Sequence, residues 1–329
     1  MILDTDNQTL SDLNIFPREK GELSVFDYYN RTVTKNGRDE LFKIIQAPLN
    51  DLSEINERIS TFRFIDTNSL HFDFDKECLD FIEYYLNRDT PVLRNNIIDS
   101  IWDRIFYQIK AGNEYYIISR GIEYMIDYLQ TLIDFRENIL SRRPEVPGFF
   151  RLFFSKAEHL QKNLGSGFSK TPKRKKRSFR TISRLDNLIR KKEKGNIREL
   201  LKLTYLLDAY ISVIKCAQEN KLVFPEFLTS GTVTVNIEGF FHPFIEKPVK
   251  NNLLLNGNRN ICFVTGANMS GKSTLLKTVG LCIYLSHLGF PVPAGKMKTS
   301  LFNGLFTTIN ISDNINKGYS HYYSEIKRI

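Results

Sequence analysis

One nine-residue run, Gly266-Ala267-Asn268-Met269-Ser270-Gly271-Lys272-Ser273-Thr274, constrains the fold of this chain more than any other stretch. It fits G-x-x-x-x-G-K-[ST], the spacing of a phosphate-binding loop. Such a loop works only between a strand and a helix, and the flanking residues supply both. Ile261-Cys262-Phe263-Val264-Thr265 is apolar and β-prone, as expected of a buried parallel strand. Leu275-Leu276, Val279, Cys282-Ile283 and Leu288 continue at helical spacing until Gly289, with Pro291 just beyond. Gly266 and Gly271 let the backbone turn around an anion. The loop N–H groups and the helix N-terminus favour phosphate there. Lys272 is the expected contact for β- and γ-phosphates, and the Ser273 hydroxyl the expected Mg²⁺ ligand. ATP and Mg²⁺ are the implied ligands.

At 329 residues, 42% hydrophobic and 25% charged, the chain has the composition of an ordinary globular protein with room for two cores. The N-terminal residues show no secretory signal pattern, and no apolar run is long enough for a membrane span. A cytoplasmic protein is expected. Cys78, Cys216, Cys262 and Cys282 lack metal-ligand spacing and read as reduced thiols, the last two in core positions of a nucleotide domain.

The net charge of +9 has one source. Between Lys170 and Lys194 twelve Lys/Arg stand against Asp186 and Glu193, and the remainder is nearly neutral. Within this stretch Lys173, Arg174, Lys175, Lys176, Arg177 and Arg180 are candidate contacts for nucleic-acid phosphates, and Phe179 for stacking on a base. A solvated linker is the competing reading.

Along the chain, residues 1–22 read as an extended lead-in. A turn through Asn36-Gly37 introduces a helix from about Arg38 to Pro48. Asp51 or Ser53 caps the next, with Ile55, Ile59 and Phe62 on its inner face. Further helical patterns run from Phe74 to Ile109, Trp102 included. Ile118, Ile122, Met125, Leu129, Leu132 and Ile139 form a four–three seam. A second comprises Ile197, Leu200, Thr204, Leu207, Ile211 and Ile214. Two core helices of a bundle, or an antiparallel lever, both satisfy these seams. After Pro225 the period changes to two. Thr232–Ile237, Leu253–Leu255 and Leu305–Ile309 read as strands.

The loop resembles that of the MutS family of DNA mismatch-repair ATPases, Gly-Pro-Asn-Met-x-Gly-Lys-Ser-Thr, with Ala267 replacing the proline. Asn268-Met269 is the specific part of the match. His242-Pro243 lies where the family has Arg-His-Pro, Phe241 replacing the arginine. Pro248 stands at the place of the phenylalanine that stacks on adenine, and Phe244 is a candidate substitute. Asp313–Glu325, with Gly318 and Ser320, is similar to the family's signature loop, which reaches the γ-phosphate bound by a dimer partner. Asn30-Arg31-Thr32-Val33-Thr34, Gly37, Pro48-Leu49 and Asp51 resemble the opening of its helical core. The resemblance implies a multidomain α and α/β architecture. Residues 1–228 would form a helical core with levers and a basic insert near 170–194. Residues 229–329 would form the first part of a P-loop ATPase domain, incomplete because no strand ending in an acidic pair follows. It also implies an ATP-driven homodimer acting on DNA, without a mismatch-recognition domain, and with no turnover by this stretch alone. An ATP-sensing nucleic-acid-binding module and an RNA- or ribosome-directed relative are the alternatives.

Overall fold

The computed structural model describes residues 2–19, 21–88, 112–165, 177–229 and 231–309. The chain forms two compact units. One comprises Met1–Thr32, Arg38–Asn68 and Ala209–Ile329, and the other Val33–Gly37 and Ser69–Asp208. Helices are α1 (Asn7–Asp12), α2 (Val25–Tyr29), α3 (Lys35–Gln46), α4 (Leu52–Thr67), α5 (Lys76–Leu86), α6 (Gly112–Arg142), α7 (Gly148–Leu164), α8 (Phe179–Asn187), α9 (Lys194–Asn220) and α10 (Lys272–His287). A π-helical turn, Leu188–Lys192, follows α8. The strands are β1 (Glu226–Phe227), β2 (Val235–Phe240), β3 (Asn251–Leu255) and β4 (Lys296–Thr299).

In the first unit the four strands make one mixed sheet in the order β1-β4-β2-β3, parallel at β1–β4 and antiparallel elsewhere. Alternation along β2 buries Val235 and Ile237, and a register shift after Ile237 brings Phe240 to the buried face as well. The strand starts at Val235, later than Thr232. The N-terminal residues are not a loose lead-in. Asp6 caps α1 by accepting from the Thr9 N–H at 2.8 Å, and Leu3, Thr9, Asp12, Leu13 and Ile15 are buried. Leu305–Ile309 is held by this segment and is not a strand. The Leu305 N–H reaches the Asp4 carbonyl, and the Asp12 carboxylate receives the Thr307 hydroxyl at 2.9 Å and the Ile309 N–H at 2.8 Å. Asp51 caps α4 as expected, and Ile55, Ile59 and Phe62 face the core. There Phe62 packs edge-on against Tyr210 and Phe290. His287 is fully buried and bridges two segments. Nδ1 lies 2.7 Å from the Leu49 carbonyl, and the Phe302 N–H donates to Nε2 at 3.3 Å.

In the second unit the α6 stripe Ile118, Ile122, Met125, Leu129, Leu132 and Ile139 is buried throughout. The Tyr128 hydroxyl meets Thr204 Oγ1 of the second seam at 2.6 Å. Gly37 lies inside the first turn of α3, because that helix starts at Lys35 rather than Arg38. The buried Asp208 carboxylate receives the N–H groups of Val33 and Thr34 and the Thr34 hydroxyl. Thr34 in turn accepts the Gly37 N–H at 2.9 Å. A second buried carboxylate, Asp186, pairs with Arg190 through both oxygens (2.6 and 2.7 Å) and accepts the Tyr85 hydroxyl at 2.6 Å. Gly121 leaves room for the Tyr85 ring. Trp102 lies outside the described residues.

Candidate nucleotide site

The loop 266–274 turns where its composition predicts. Gly266 and Gly271 have φ of 156° and 91°, and Met269, at φ 66°, also takes the left-handed form. A Cβ on Gly266 would lie 2.9 Å from Ser270 Oγ, so close approach as well as conformation calls for glycine there. Gly271 caps α10, and Lys272, Ser273 and Thr274 form its first turn. Their N–H groups have no partner within the helix and point out of its N-terminus. Lys272 Nζ donates to the carbonyls of Gly266 (2.7 Å) and Ala267 (2.6 Å), so the ammonium lies inside the loop it serves. Ser273 is exposed, as are Asn268 and Ser270, and Met269 is wholly so. Ile261–Thr265 differs from expectation. Among the described residues nothing pairs with it as a strand, and Ile261 and Phe263 are 72% and 89% exposed. A strand exists only by pairing, and its apolar composition alone cannot bury it. Cys262 is therefore exposed, while Cys282 on α10 is buried as expected.

A pocket of about 320 Å³ adjoins the loop. Ser270, Gly271 and Thr274 form one wall, and His242, Pro248 and Val249 another. Pro248 thus stands beside the loop, with a flat ring edge in place of an aromatic face. Phe244 does not line this pocket. It faces a neighbouring cleft of about 230 Å³ with His242, Thr274 and Lys277, and packs edge-on against Tyr28 and His242. Burial lowers the His242 pKa, and the Lys277 charge adds to the effect. Lys277 belongs to no phosphate-loop motif, although its place one helical turn beyond Ser273-Thr274 marks it as a neighbour of the site. Asn14 lines the same cleft and has no local motif.

Among the described residues no group of three His, Cys, Asp or Glu side chains could hold a metal ion. A hydroxyl such as Ser273 suits Mg²⁺, which keeps water and phosphate oxygens as its other ligands. Gly318 and Ser320 lie outside the described residues, as do Lys173, Arg174, Lys175 and Lys176. Arg180 is exposed on the first turn of α8. Phe179 stacks on Tyr115 at 5.5 Å between centroids and 16° between planes, so its ring is committed to a protein partner. Among the described residues no helix is long and apolar enough to cross a membrane.

A family profile, MutS domain V, matches residues 262–329, which include the loop just described. Over these residues the chain is similar to the MutS family. It is 36% identical over 152 residues to a DNA mismatch repair protein MutS of Finegoldia magna, covering 44% of this chain and 17% of that one. It is 35% identical over 129 residues to MutS protein homolog 4 of Mus musculus, covering 38% and 13%. A DNA mismatch repair protein MutS of Fusobacterium nucleatum is 34% identical over 145 residues, 41% and 16% of the two chains. The alignments thus span less than a fifth of each of these MutS relatives.

Proposed function

We propose that this chain is the helical and nucleotide-binding portion of a MutS-like ATPase, and that it binds ATP with Mg²⁺ through Gly266, Asn268, Met269, Ser270, Gly271, Lys272, Ser273 and Thr274. The observation that carries the reading is the Lys272 ammonium held by the Gly266 and Ala267 carbonyls at the N-terminus of α10. A triphosphate entering the loop takes over that ammonium and meets the N–H groups of the first helical turn. Ser273 supplies the protein ligand for Mg²⁺, which neutralises charge on the phosphates. The base enters the pocket lined by Pro248 and Val249, which supplies apolar contact without aromatic stacking. In the parent dimer, Gly318 and Ser320 reach the partner's γ-phosphate, so that ATP favours one arrangement of the two subunits. Lys173, Arg174, Lys175, Lys176, Arg177 and Arg180 hold DNA by its phosphates. The process served is mismatch repair or a related transaction on structured DNA, in the cytoplasm.

Calorimetry with Mg·ATP tests the loop. Lys272→Ala should lower affinity at least tenfold while the circular-dichroism spectrum stays unchanged. Equal affinity of the two proteins would reject the nucleotide assignment. For the partner site, mixed dimers of the parent protein should retain one working site when Lys272→Ala and Ser320→Ala sit in different subunits. They should lose it when both sit in one subunit.

A further inference from the structure

The helical unit contains a cleft of about 450 Å³ at the π turn, formed by Arg184, Asn187 and Lys192 together with Asn163 and Leu164 at the end of α7. The π turn decides which cation lines it. Its widened bonding, with the Glu193 N–H reaching the Leu188 carbonyl at 2.8 Å, adds a residue to the turn. Lys192, rather than Lys191, therefore shares the wall with Arg184.

The charge is one-sided. Arg180, Arg184 and Lys192 are all exposed, and among the described residues none forms an ion pair. The two acids of the segment are withdrawn from them. Asp186 is fully buried against Arg190 and Tyr85. Glu193 is 8% exposed and accepts from Asn163 and Asn196, each at 2.8 Å. An ordinary solvated face mixes signs and has no concavity; here two cations converge on one volume. The carbonyl end of α7 opposes an anion, but a helix terminus carries roughly half a charge against two full ones. Both amide hydrogens of Asn163 are engaged, with His159 (3.0 Å) and Glu193 (2.8 Å), which leaves its carbonyl as an acceptor for a sugar hydroxyl.

We propose that this cleft binds a backbone phosphate of a nucleic acid, with Arg184 and Lys192 as its cations and Arg180 meeting the adjacent phosphate. Arg180 precedes Arg184 by one helical turn, about 6 Å along the axis. The proposal rests on the nucleic-acid reading above and adds Arg184 and Lys192 as contacts separate from the run Lys173–Arg177. Arg184 presents a planar fork suited to two phosphate oxygens, and Lys192 a point charge.

The test is fluorescence anisotropy of the full chain with labelled duplex DNA, single-stranded DNA and RNA across a salt series. Arg184→Ser with Lys192→Ser should weaken binding and reduce the log–log salt slope by about 1.8 on duplex, or about 1.4 on single strands. Arg184→Lys with Lys192→Arg should keep most of the slope, and matching thermal melts of both variants would exclude unfolding. If the wild type binds, a five-Ser variant of Lys173–Arg177 flattens the slope, and the cleft variant does not, the cleft proposal fails and the nucleic-acid reading stands. A wild type that binds none of the three removes both. Inorganic phosphate binding to the wild type but not to the cleft variant, with oligonucleotide affinity and salt slope equal in the two proteins, would make this a free-phosphate site and overturn the proposal.

Discussion

Replacing Gly37 by alanine sets two effects of opposite sign against each other. Gly37 lies in the first turn of α3, where helix propensity alone favours alanine by about 1 kcal/mol. A Cβ built on it, however, would lie 2.3 Å from Asp208 Oδ2, 2.8 Å from Asp208 Cγ and 2.7 Å from Thr34 Oγ1. Those atoms cannot swing aside, because the same carboxylate receives the Val33 and Thr34 N–H groups and the Thr34 hydroxyl. Overpacking of this kind costs about 1–3 kcal/mol. Displacing a charged acceptor from one of its donors costs a further 1.5–3 kcal/mol or so. The net expectation is a loss of about 2–5 kcal/mol, read as a fall of about 1 M or more in the urea midpoint. Gly195, in the first turn of α9, is the control, since nothing lies within 4 Å of a Cβ there. Alanine at 195 should be neutral or stabilising by up to about 1 kcal/mol. Asp208→Ser retains an acceptor but shortens the side chain, and in that background Gly37→Ala should cost distinctly less, the approach to Thr34 Oγ1 remaining. A midpoint that rises in Gly37→Ala alone would refute the steric reasoning and leave propensity as the governing term.

His287 should make stability depend on pH. Burial lowers its folded pKa below the ordinary 6.5, with the Leu49 carbonyl partly opposing, so the unfolded chain takes the proton first. Its contribution is therefore complete above about pH 6.5 and falls as pH drops through the folded pKa, and His287→Gln should flatten the urea midpoint between pH 7.5 and 5. Thiol reactivity should separate the four cysteines. Burial pushes Cys78, Cys216 and Cys282 up to about 12, whereas Cys262 is exposed. A disulfide reagent at neutral pH should modify one thiol of the native chain quickly, and Cys262→Ser should remove that phase.

Local chemistry made some of this fold legible in the sequence. Asp51 caps α4 through the N–H groups of Ser53 and Glu54, an interaction within three residues, and the apolar face that follows needs only helical spacing. The glycine loop was readable for the same reason, since its turns depend on Gly266 and Gly271 themselves. What stayed hidden depends on distant partners. The segment from Leu3 to Ile15 has too short a pattern to announce burial, and what orders it is Pro48, Asn303 and Thr307. Phe179 reads as a free aromatic until Tyr115 is placed against it. The cleft at Arg184 needs the end of α7, which Gly165 marks, and the i→i+5 bond of a π turn, which has no sequence signature. Ile261–Thr265 has the composition of a buried strand, but composition does not supply a neighbour.

The division of the chain also has a consequence for its biosynthesis. The helical unit ends at Asp208, whereas the nucleotide-loop unit draws on residues to both sides of it. A ribosome adding roughly 5–20 residues per second completes the helical unit first. The N-terminal residues of the other unit then wait about 5–20 s for the chain to advance from Ala209 to Phe302. Until then Tyr29 lacks the Pro291 carbonyl its hydroxyl will donate to, Leu49 lacks its two bonds to His287, and Leu3, Ile15, Val25 and Phe26 have no complete core to enter. During that interval the nascent chain carries a folded insert flanked by an unburied apolar segment, the condition in which a general chaperone binds.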